Sequence, residues 1–300
     1  MSMPFYVSPE QSMRDKADYA RKGVARSRSS VVLQYAGGIL MVTPNISSVL
    51  HKISEIYDRI AFAAVGRYNE YEVLRKAGVT YADVTGYQFD RGDVTARGLA
   101  NWYAQALGTN FSEPTGKPYE VEIVVAEVGA KPDGDQIYRI SWDGSVSDEP
   151  GFVAFGGQAD QVTTALKERF SDGMSLTDAL AAALAALAAP VAATGPGQAN
   201  GGQPELTAAN LEVAILDRAR AHRTFRRLQG PRLEGLINES RGGAAGAVTE
   251  TTAEPAQDAQ ETPAKPANSG KPAPPAKPAQ PSDEPPTGPS AAGEDGSPKL

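Results

Sequence analysis

Apolar positions along this chain recur with two different periods, and the switches between them divide it into blocks of helix and strand. Met13, Ala17, Ala20 and Val24 recur at helical spacing, with Arg14, Asp15, Lys16, Asp18, Arg21 and Lys22 on the other face. Ser8 is placed to cap that helix, Pro9 suits its first position, and Gln11 lies three residues beyond the cap. The pattern predicts an amphipathic helix from Ser8 that ends near Gly23. Val31–Tyr35 and Ile39–Thr43 are apolar and rich in β-branched residues, and Ala36-Gly37-Gly38 between them reads as a hairpin turn. Two more strands are expected at Ile53–Tyr57 and Ile60–Val65, separated by the polar pair Asp58-Arg59. The helical period then returns from Asn69 to Ala77, with Gly78 as a stop. It resumes in a helix capped by Asp93 that carries Leu99, Ala100, Tyr103, Ala104 and Leu107 on one face before Gly108.

Strand character reappears at Tyr119–Val128, where Val121, Ile123 and Val125 alternate with Glu120, Glu122 and Val124. A loop with Pro132-Asp133-Gly134 leads to a strand at Gln136–Trp142; Asp143-Gly144 turns the chain, and Phe152–Phe155 closes the block. A helix capped by Asp160 buries Val162, Ala165, Leu166 and Phe170. A second, capped by Ser175 with Asp178, runs to Pro190. Beyond a Gly- and Pro-rich linker at Thr194–Pro204, strands are expected at Leu211–Leu216 and Thr224–Leu228, and a short helix at Leu233–Asn238. Strands joined by hairpins favour antiparallel sheets, because each parallel pair requires a long crossover. Helices arriving in pairs between strand blocks place one pair outside each of two sheets. The predicted fold is α+β, a four-layer αββα sandwich.

Composition shortens the folded part. From Thr251 to Leu300 the chain holds 12 of its 23 prolines, and Leu300 is the sole residue there drawn from Val, Ile, Leu, Met, Phe, Trp and Tyr. Such a segment cannot bury enough apolar surface to offset the entropy of ordering itself. One domain is therefore expected over residues 1–239 and a disordered Pro/Ala-rich tail over 240–300. Formal net charge is -7, the wrong sign for contacts to nucleic-acid phosphates. With no cysteine and two histidines, the chain has no disulfide, no thiolate nucleophile and no sulfur- or multi-histidine metal site. The amino terminus lacks the pattern of a secretory signal, and no apolar stretch is long enough to span a bilayer. A cytoplasmic location without membrane contact follows as an expectation.

Several of these motifs coincide with a known pattern. Ser8-Pro9-Glu10, then Asp18-Tyr19-Ala20-Arg21, then Lys22-Gly23 ahead of a hairpin resembles the amino-terminal signature of proteasome α-type subunits. Ala36-Gly37-Gly38-Ile39-Leu40, Lys52-Ile53 and the order of elements extend the likeness to about residue 239. Overall the chain is similar to α subunits of the bacterial, actinobacterial-type 20S proteasome, whose fold is Ntn-hydrolase-like. The resemblance implies a non-catalytic subunit with no cofactor, which joins itself in seven-membered outer rings over β subunits that carry terminal-threonine nucleophiles. It also implies a place in the Pup-proteasome pathway, with a ring-shaped regulatory ATPase and unfolded or tagged protein substrates as further partners. The alternative is a self-processed Ntn-type amidohydrolase. A terminal nucleophile uses its own α-amine as base, yet Ser27-Arg28-Ser29-Ser30 precede Val31 with no Gly-Thr junction. The leading helix is read as retained and the catalytic site as absent.

The resemblance also assigns candidate residues. Lys52 matches a lysine in a pocket between neighbouring α subunits that receives the carboxyl termini of the activator; an ammonium can pair with a main-chain carboxylate. Ile53 is expected to form part of that pocket's apolar wall. The same residue type fits a solvated strand position equally well. Ser2, Met3, Pro4, Phe5, Tyr6 and Val7 match a gate arm that converges on the ring axis, although Pro4-Phe5-Tyr6 stands where archaeal and eukaryotic relatives have Tyr-Asp-Arg. Pro9 and Tyr19 match residues that support the open gate. The acidic pairs Glu55 with Asp58 and Asp83 with Asp90 read as solvated loops rather than a glycosidase centre, and Arg91-Gly92-Asp93 as a helix start. Arg218, Arg220, His222, Arg223, Arg226 and Arg227 form the one basic cluster, read as a charged hairpin edge rather than a nucleic-acid surface.

Overall fold

The computed structural model describes residues 8–189 and 206–242. The expected gate arm at Ser2–Val7, the linker at Thr194–Pro204 and the tail beyond Gly242 lie outside those residues. The leading helix α1 spans Pro9–Ala25, with the Ser8 Oγ accepting the Gln11 N–H at 3.3 Å. It is followed by β1 (Ser30–Tyr35), β2 (Gly38–Pro44), β3 (Ile53–Tyr57) and β4 (Ile60–Gly66), then α2 (Tyr68–Gln88) and α3 (Ala96–Ser112). A second strand block holds β5 (Val121–Glu127), β6 (Gln136–Ile140), β7 (Val146–Asp148) and β8 (Phe152–Phe155). The helices α4 (Ala159–Lys167) and α5 (Leu176–Leu187) come next, and β9 (Leu211–Asp217), β10 (Phe225–Leu228) and α6 (Gly230–Gly242) complete the described chain.

Every strand pairing is antiparallel. One sheet has the order β10-β9-β2-β1-β8 and the other β3-β4-β5-β6-β7. Their facing surfaces meet in an apolar layer that includes Val32, Ile39, Met41, Ala214 and Leu216 from the first sheet and Ile53, Ala63, Val65, Val124 and Ala126 from the second. The outer face of the first sheet packs Val31, Leu33, Leu40, Val213 and Ile215 against Val162, Leu166, Leu180, Ala183, Leu233 and Ile237 of α4, α5 and α6. The outer face of the second packs Phe62, Ala64, Ile123 and Val125 against Leu74, Leu99, Tyr103 and Leu107 of α2 and α3. The expected four-layer αββα sandwich is the observed architecture. Residues i and i+2 of one strand face one layer and the intervening residue faces the other. Because both layers are apolar, β2 is buried along its whole length and reads as an unbroken apolar run.

Local expectations differ in places, each for a physical reason. Gly78 does not stop α2, which continues to Gln88. A Cβ at Gly78 would lie 1.8 Å from the Tyr103 hydroxyl, so the glycine permits close approach of α3. Thr95, not Asp93, caps α3 by accepting the Gly98 N–H at 3.1 Å, while Asp93 shares a capping box with Asp90 around the 3-10 turn Arg91–Asp93. Gly108 likewise lies within α3 rather than beyond it. Asp160 stands in the first turn of α4 and Gln158 holds the cap position. The strand β7 is an exposed three-residue edge with no apolar run to announce it. Met13, expected on the buried face of α1, is 40% exposed; Ala20 and Val24 are the buried residues of that helix.

The Gly78 contact makes a sharp stability test. The Tyr103 side chain is buried, and its hydroxyl has no hydrogen-bond partner among the described residues; burial holds its pKa well above the ordinary tyrosine range. A buried unpaired hydroxyl contributes nothing to offset its desolvation. Tyr103→Phe should therefore leave thermal stability unchanged or raise it. Gly78→Ala gains helix propensity but overpacks the α2–α3 contact, and a net loss of about 1–3 kcal/mol is expected. Thermal or denaturant melts should show part of that loss recovered in the Gly78→Ala/Tyr103→Phe double variant.

Candidate functional site

Lys52 stands at the head of β3, at the neck of the loop that leaves β2 at Pro44. Its Nζ donates to the Pro44 carbonyl at 3.1 Å, so the two ends of the loop meet at this bond. The loop is shaped from within: Asn45 Nδ2 donates to the Leu50 carbonyl at 2.8 Å, and Ser47 Oγ accepts the Leu50 N–H at 2.9 Å. Ile46, Val49 and Leu50 on its rim are 73%, 76% and 46% exposed. Ile53, expected to supply an apolar wall beside Lys52, is 1% exposed and belongs to the layer between the sheets. The period-2 alternation of β3 turns Ile53 inward, so any apolar wall must come from the loop rim instead.

The neck is fastened to the opposite sheet by one carboxylate. Glu212, the second residue of β9, is buried on the face that also carries Ala214 and Leu216. Its Oε2 accepts the Lys52 N–H at 2.9 Å and Asn45 Nδ2 at 2.8 Å, while Oε1 accepts the Ile53 N–H at 3.1 Å. His51 Nδ1 lies 3.4 Å from Oε1. The guanidinium of Arg227 pairs with Oε1 and also donates to the Ile53 carbonyl at 2.6 Å. A carboxylate this deeply buried is stable because its lone pairs are met by donors and its charge by a guanidinium. Burial pushes the Lys52 ammonium below its ordinary pKa; Glu212 works against that shift and Arg28 adds to it. The sequence reading predicts a strand at Leu211–Leu216 but assigns no role to Glu212 within it. The signal was its parity: an acid at an inward-facing position of a buried strand requires donors.

The second set of assigned residues lies on α1. Pro9 occupies the first turn and is exposed. Tyr19 is 47% exposed, with the Lys117 Nζ 5.7 Å from its ring centre. The helix is seated on the second sheet through Gly23, where a Cβ would lie 2.2 Å from Glu120 Oε2. Buried Glu120 is in turn paired with Arg67 at 3.0 Å and Lys117 at 2.9 Å. Lys16 Nζ donates to the carbonyls of Phe111 and Glu113 in the segment between α3 and β5. Lys22-Gly23 of the amino-terminal motif thus ends at a close contact that only glycine permits.

At the start of β1, Ser30 Oγ donates to Thr43 Oγ1 at 2.7 Å and Ser29 Oγ accepts the Gln158 N–H at 3.0 Å; both serines are buried. The remaining candidates are dispersed. Arg218 makes a bidentate pair with Asp135, Arg226 pairs with Asp217, and Arg223 with Glu55. His222 Nδ1 and Arg91 both approach Asp58 Oδ2, at 3.6 and 3.9 Å. The basic cluster is therefore largely matched by acids around β10, which is the edge strand of its sheet. Asp90 is occupied in its capping box and Asp83 is exposed, while Glu55 faces Arg223 and Asp58 faces His222 and Arg91. Among the described residues no group of three or more His, Asp or Glu side chains is arranged to hold a metal ion, and no helix is long and apolar enough to cross a membrane.

Comparison with known proteins places this geometry in a family. A family model described as "Proteasome subunit" matches residues 24–198. The chain is 62% identical to "Proteasome subunit alpha" of Thermobifida fusca over 240 residues, which cover 80% of this chain and 92% of that relative. It is 64% identical to the subunit of the same name from Thermomonospora curvata over 239 residues, 80% of this chain and 99% of the relative. The figure for the Kineococcus radiotolerans subunit is 62% over 237 residues, 79% and 98%. On the fold, the amino-terminal helix and this similarity, the chain belongs to the proteasome family as an α-type subunit of the bacterial, actinobacterial kind.

Proposed function

We propose that the chain is the non-catalytic α subunit of a 20S proteasome core: it forms seven-membered outer rings on β subunits, gates the admission of substrate, and docks a ring-shaped regulatory ATPase through Lys52. The observation that carries this reading is the identity of 62% and 64% to α subunits over 240 and 239 residues. The catalytic threonines belong to the β subunits in this reading, and the α chain contributes geometry and access. Ser2–Val7 act as the gate arm with Pro9 and Tyr19 as its supports, and the proteasomal domain expected to end at residue 239 extends through α6 to Gly242, where Ser240 is buried. The setting is the cytoplasm and the substrates are unfolded or Pup-tagged proteins.

The docking role of Lys52 is supported by its surroundings. An ammonium has three protons to donate, and the Pro44 carbonyl takes one. The exposed rim residues Ile46, Val49 and Leu50 offer apolar contact beside it, which suits a chain terminus that ends in apolar side chains and a carboxylate. Lys52→Glu should oppose that carboxylate and weaken activator binding by about 1–3 kcal/mol, leaving basal cleavage of short peptides by the assembled particle unchanged. The decisive comparison is activator affinity in wild-type, Lys52→Glu and Lys52→Ala particles. If both variants recruit the activator like wild type, Lys52 is a solvated strand residue.

The gate and the helix each make a separate prediction. Removing Ser2–Val7 should speed hydrolysis of unfolded proteins by assembled particles more than hydrolysis of tiny fluorogenic peptides, because small peptides already pass a narrow opening. Equal rates in truncated and intact particles on both substrate sizes would exclude the arm from gating. Deleting Ser8–Lys22 removes most of α1, including the Lys16 bonds to the 111–113 segment. Native mass measurement after co-expression with a β subunit should then find a folded chain that no longer forms rings. Particles of unchanged size would show that α1 is not an assembly element.

A further inference from the structure

The Lys52 neighbourhood holds a residue that the docking reading does not use. Glu212 touches Lys52 only through the main chain, and its two oxygens take the consecutive N–H groups of Lys52 and Ile53. Its second acceptor site on Oε2 takes Asn45 Nδ2, which also bonds the Leu50 carbonyl. One buried carboxylate therefore grips the loop at its first and last residues. At its far end, the Lys52 side chain is held to Pro44 of β2. Both ends of the side chain are thus referred to the first sheet, although β3 itself belongs to the second.

We propose that Glu212 is the positioning residue of the Lys52 site, holding the backbone at Lys52 in the one register that presents the ammonium to an incoming carboxylate. The inference rests on the docking reading of Lys52 and adds to it a residue that makes no contact with the ligand. Two consequences of the geometry carry it. A lysine stem that is restrained before binding loses less rotamer freedom when the ligand arrives; here the Pro44 bond restrains its tip, and the Glu212 bonds fix the backbone from which it reaches Pro44. The groups whose charges act on Lys52 are Glu212 and Arg28, and Glu212 alone favours the charged ammonium. Arg227 pairs with Glu212 and holds it aligned, and its second bond to the Ile53 carbonyl closes a ring of contacts around the first peptide of β3. The ligand class is a peptide terminus with a free carboxylate, since an amide would leave the ammonium without its counter-charge.

The test uses the assembled particle of α and β chains and a fluorescent short peptide that ends in apolar residues with a free carboxyl group, alongside its carboxy-amidated twin. Anisotropy titrations compare wild type, Lys52→Ala, Glu212→Gln and the double variant. The expected result is weaker binding of the free-acid peptide in both single variants, by about threefold to tenfold for Glu212→Gln, which loosens rather than removes the ammonium. In the Lys52→Ala background, Glu212→Gln should add no further loss, and the amidated peptide should not distinguish wild type from Glu212→Gln. A merely structural role predicts the opposite: Glu212→Gln weakens binding by the same factor whether or not Lys52 is present. That outcome overturns the proposal, as does wild-type affinity in Glu212→Gln while Lys52→Ala binds weakly. If Lys52→Ala itself binds like wild type, the docking reading falls and the positioning role falls with it. Should Glu212→Gln fail to assemble, Glu212→Asp retains the charge that Arg227 requires but shortens the arm. The same Lys52-dependent loss is expected of it, and unchanged binding in a folded Glu212→Asp particle overturns the proposal.

Discussion

The apolar layer between the two sheets sets the conditions that the rest of the molecule meets. A sheet that buries one face against another sheet still has a second face, and here both second faces are apolar, so each must be covered by helices. Where the layer ends, the backbone at the strand termini and the loops between sheets lose their apolar support, and polar groups take over. Two buried glutamates do this in opposite directions. Glu212 on the first sheet accepts the N–H groups of Lys52 and Ile53 at the edge of the second. Glu122 on the second sheet accepts the Gly156 N–H, just beyond β8 of the first, at 2.9 Å. Each is held by a guanidinium, Arg227 for one and Arg139 for the other. Leaving such an acid without its partners is costly in a way that leaving a surface pair is not, so these straps fix how the sheets are aligned as well as how far apart they sit.

A third buried acid serves the leading helix. Glu120, one residue before β5, carries the underside of α1 at Gly23 and is matched by Arg67 and Lys117. The surface of α1 is mainly polar, and only Ala20 and Val24 are buried. The helix therefore rests on a few specific contacts rather than on a broad apolar face, which leaves most of its surface available to other subunits. The expectation that α1 buries a continuous apolar stripe beginning at Met13 was too generous for that reason.

Much of the architecture was legible because strand and helix periods differ and the two blocks of hairpin-linked strands are long. The sandwich, the Ser8 and Ser175 caps and the first hairpin followed from residue types that have one favoured use in those positions. Glycine was the least legible residue. Gly78 and Gly108 were read as stops, yet both lie inside helices; Gly78 answers to a side chain 25 positions away, Tyr103, which no local window contains. The strand β7 was missed because an exposed edge needs no apolar alternation. At the candidate site, Lys52 was identified by a motif, but its partners were not. Asn45, Glu212 and Arg227 are brought to it by strand pairing between β2, β9 and β10, a relation that follows from the topology and not from spacing.

A lysine at the head of the third strand of such a sandwich is chemically ambiguous, because the same ammonium could tune a nucleophile or receive an anion. The difference lies in what faces it. A nucleophile of the terminal-amine kind requires a free amino group at the start of the first strand, and here that start is continuous with α1. The hydroxyls of Ser29 and Ser30 are already committed to Gln158 and Thr43. The charged side chains acting on Lys52 are Arg28, which would repel a second cation, and Glu212, whose oxygens are occupied by main-chain donors and Arg227. Among the described residues no further side-chain acid pairs with the ammonium, and its hydrogen bond is to the carbonyl of Pro44. An ammonium so placed keeps donors unspent and its charge uncancelled at its tip, while the carboxylate that supports it is shielded behind the backbone. That arrangement favours the capture of an anion from outside over the activation of a group within.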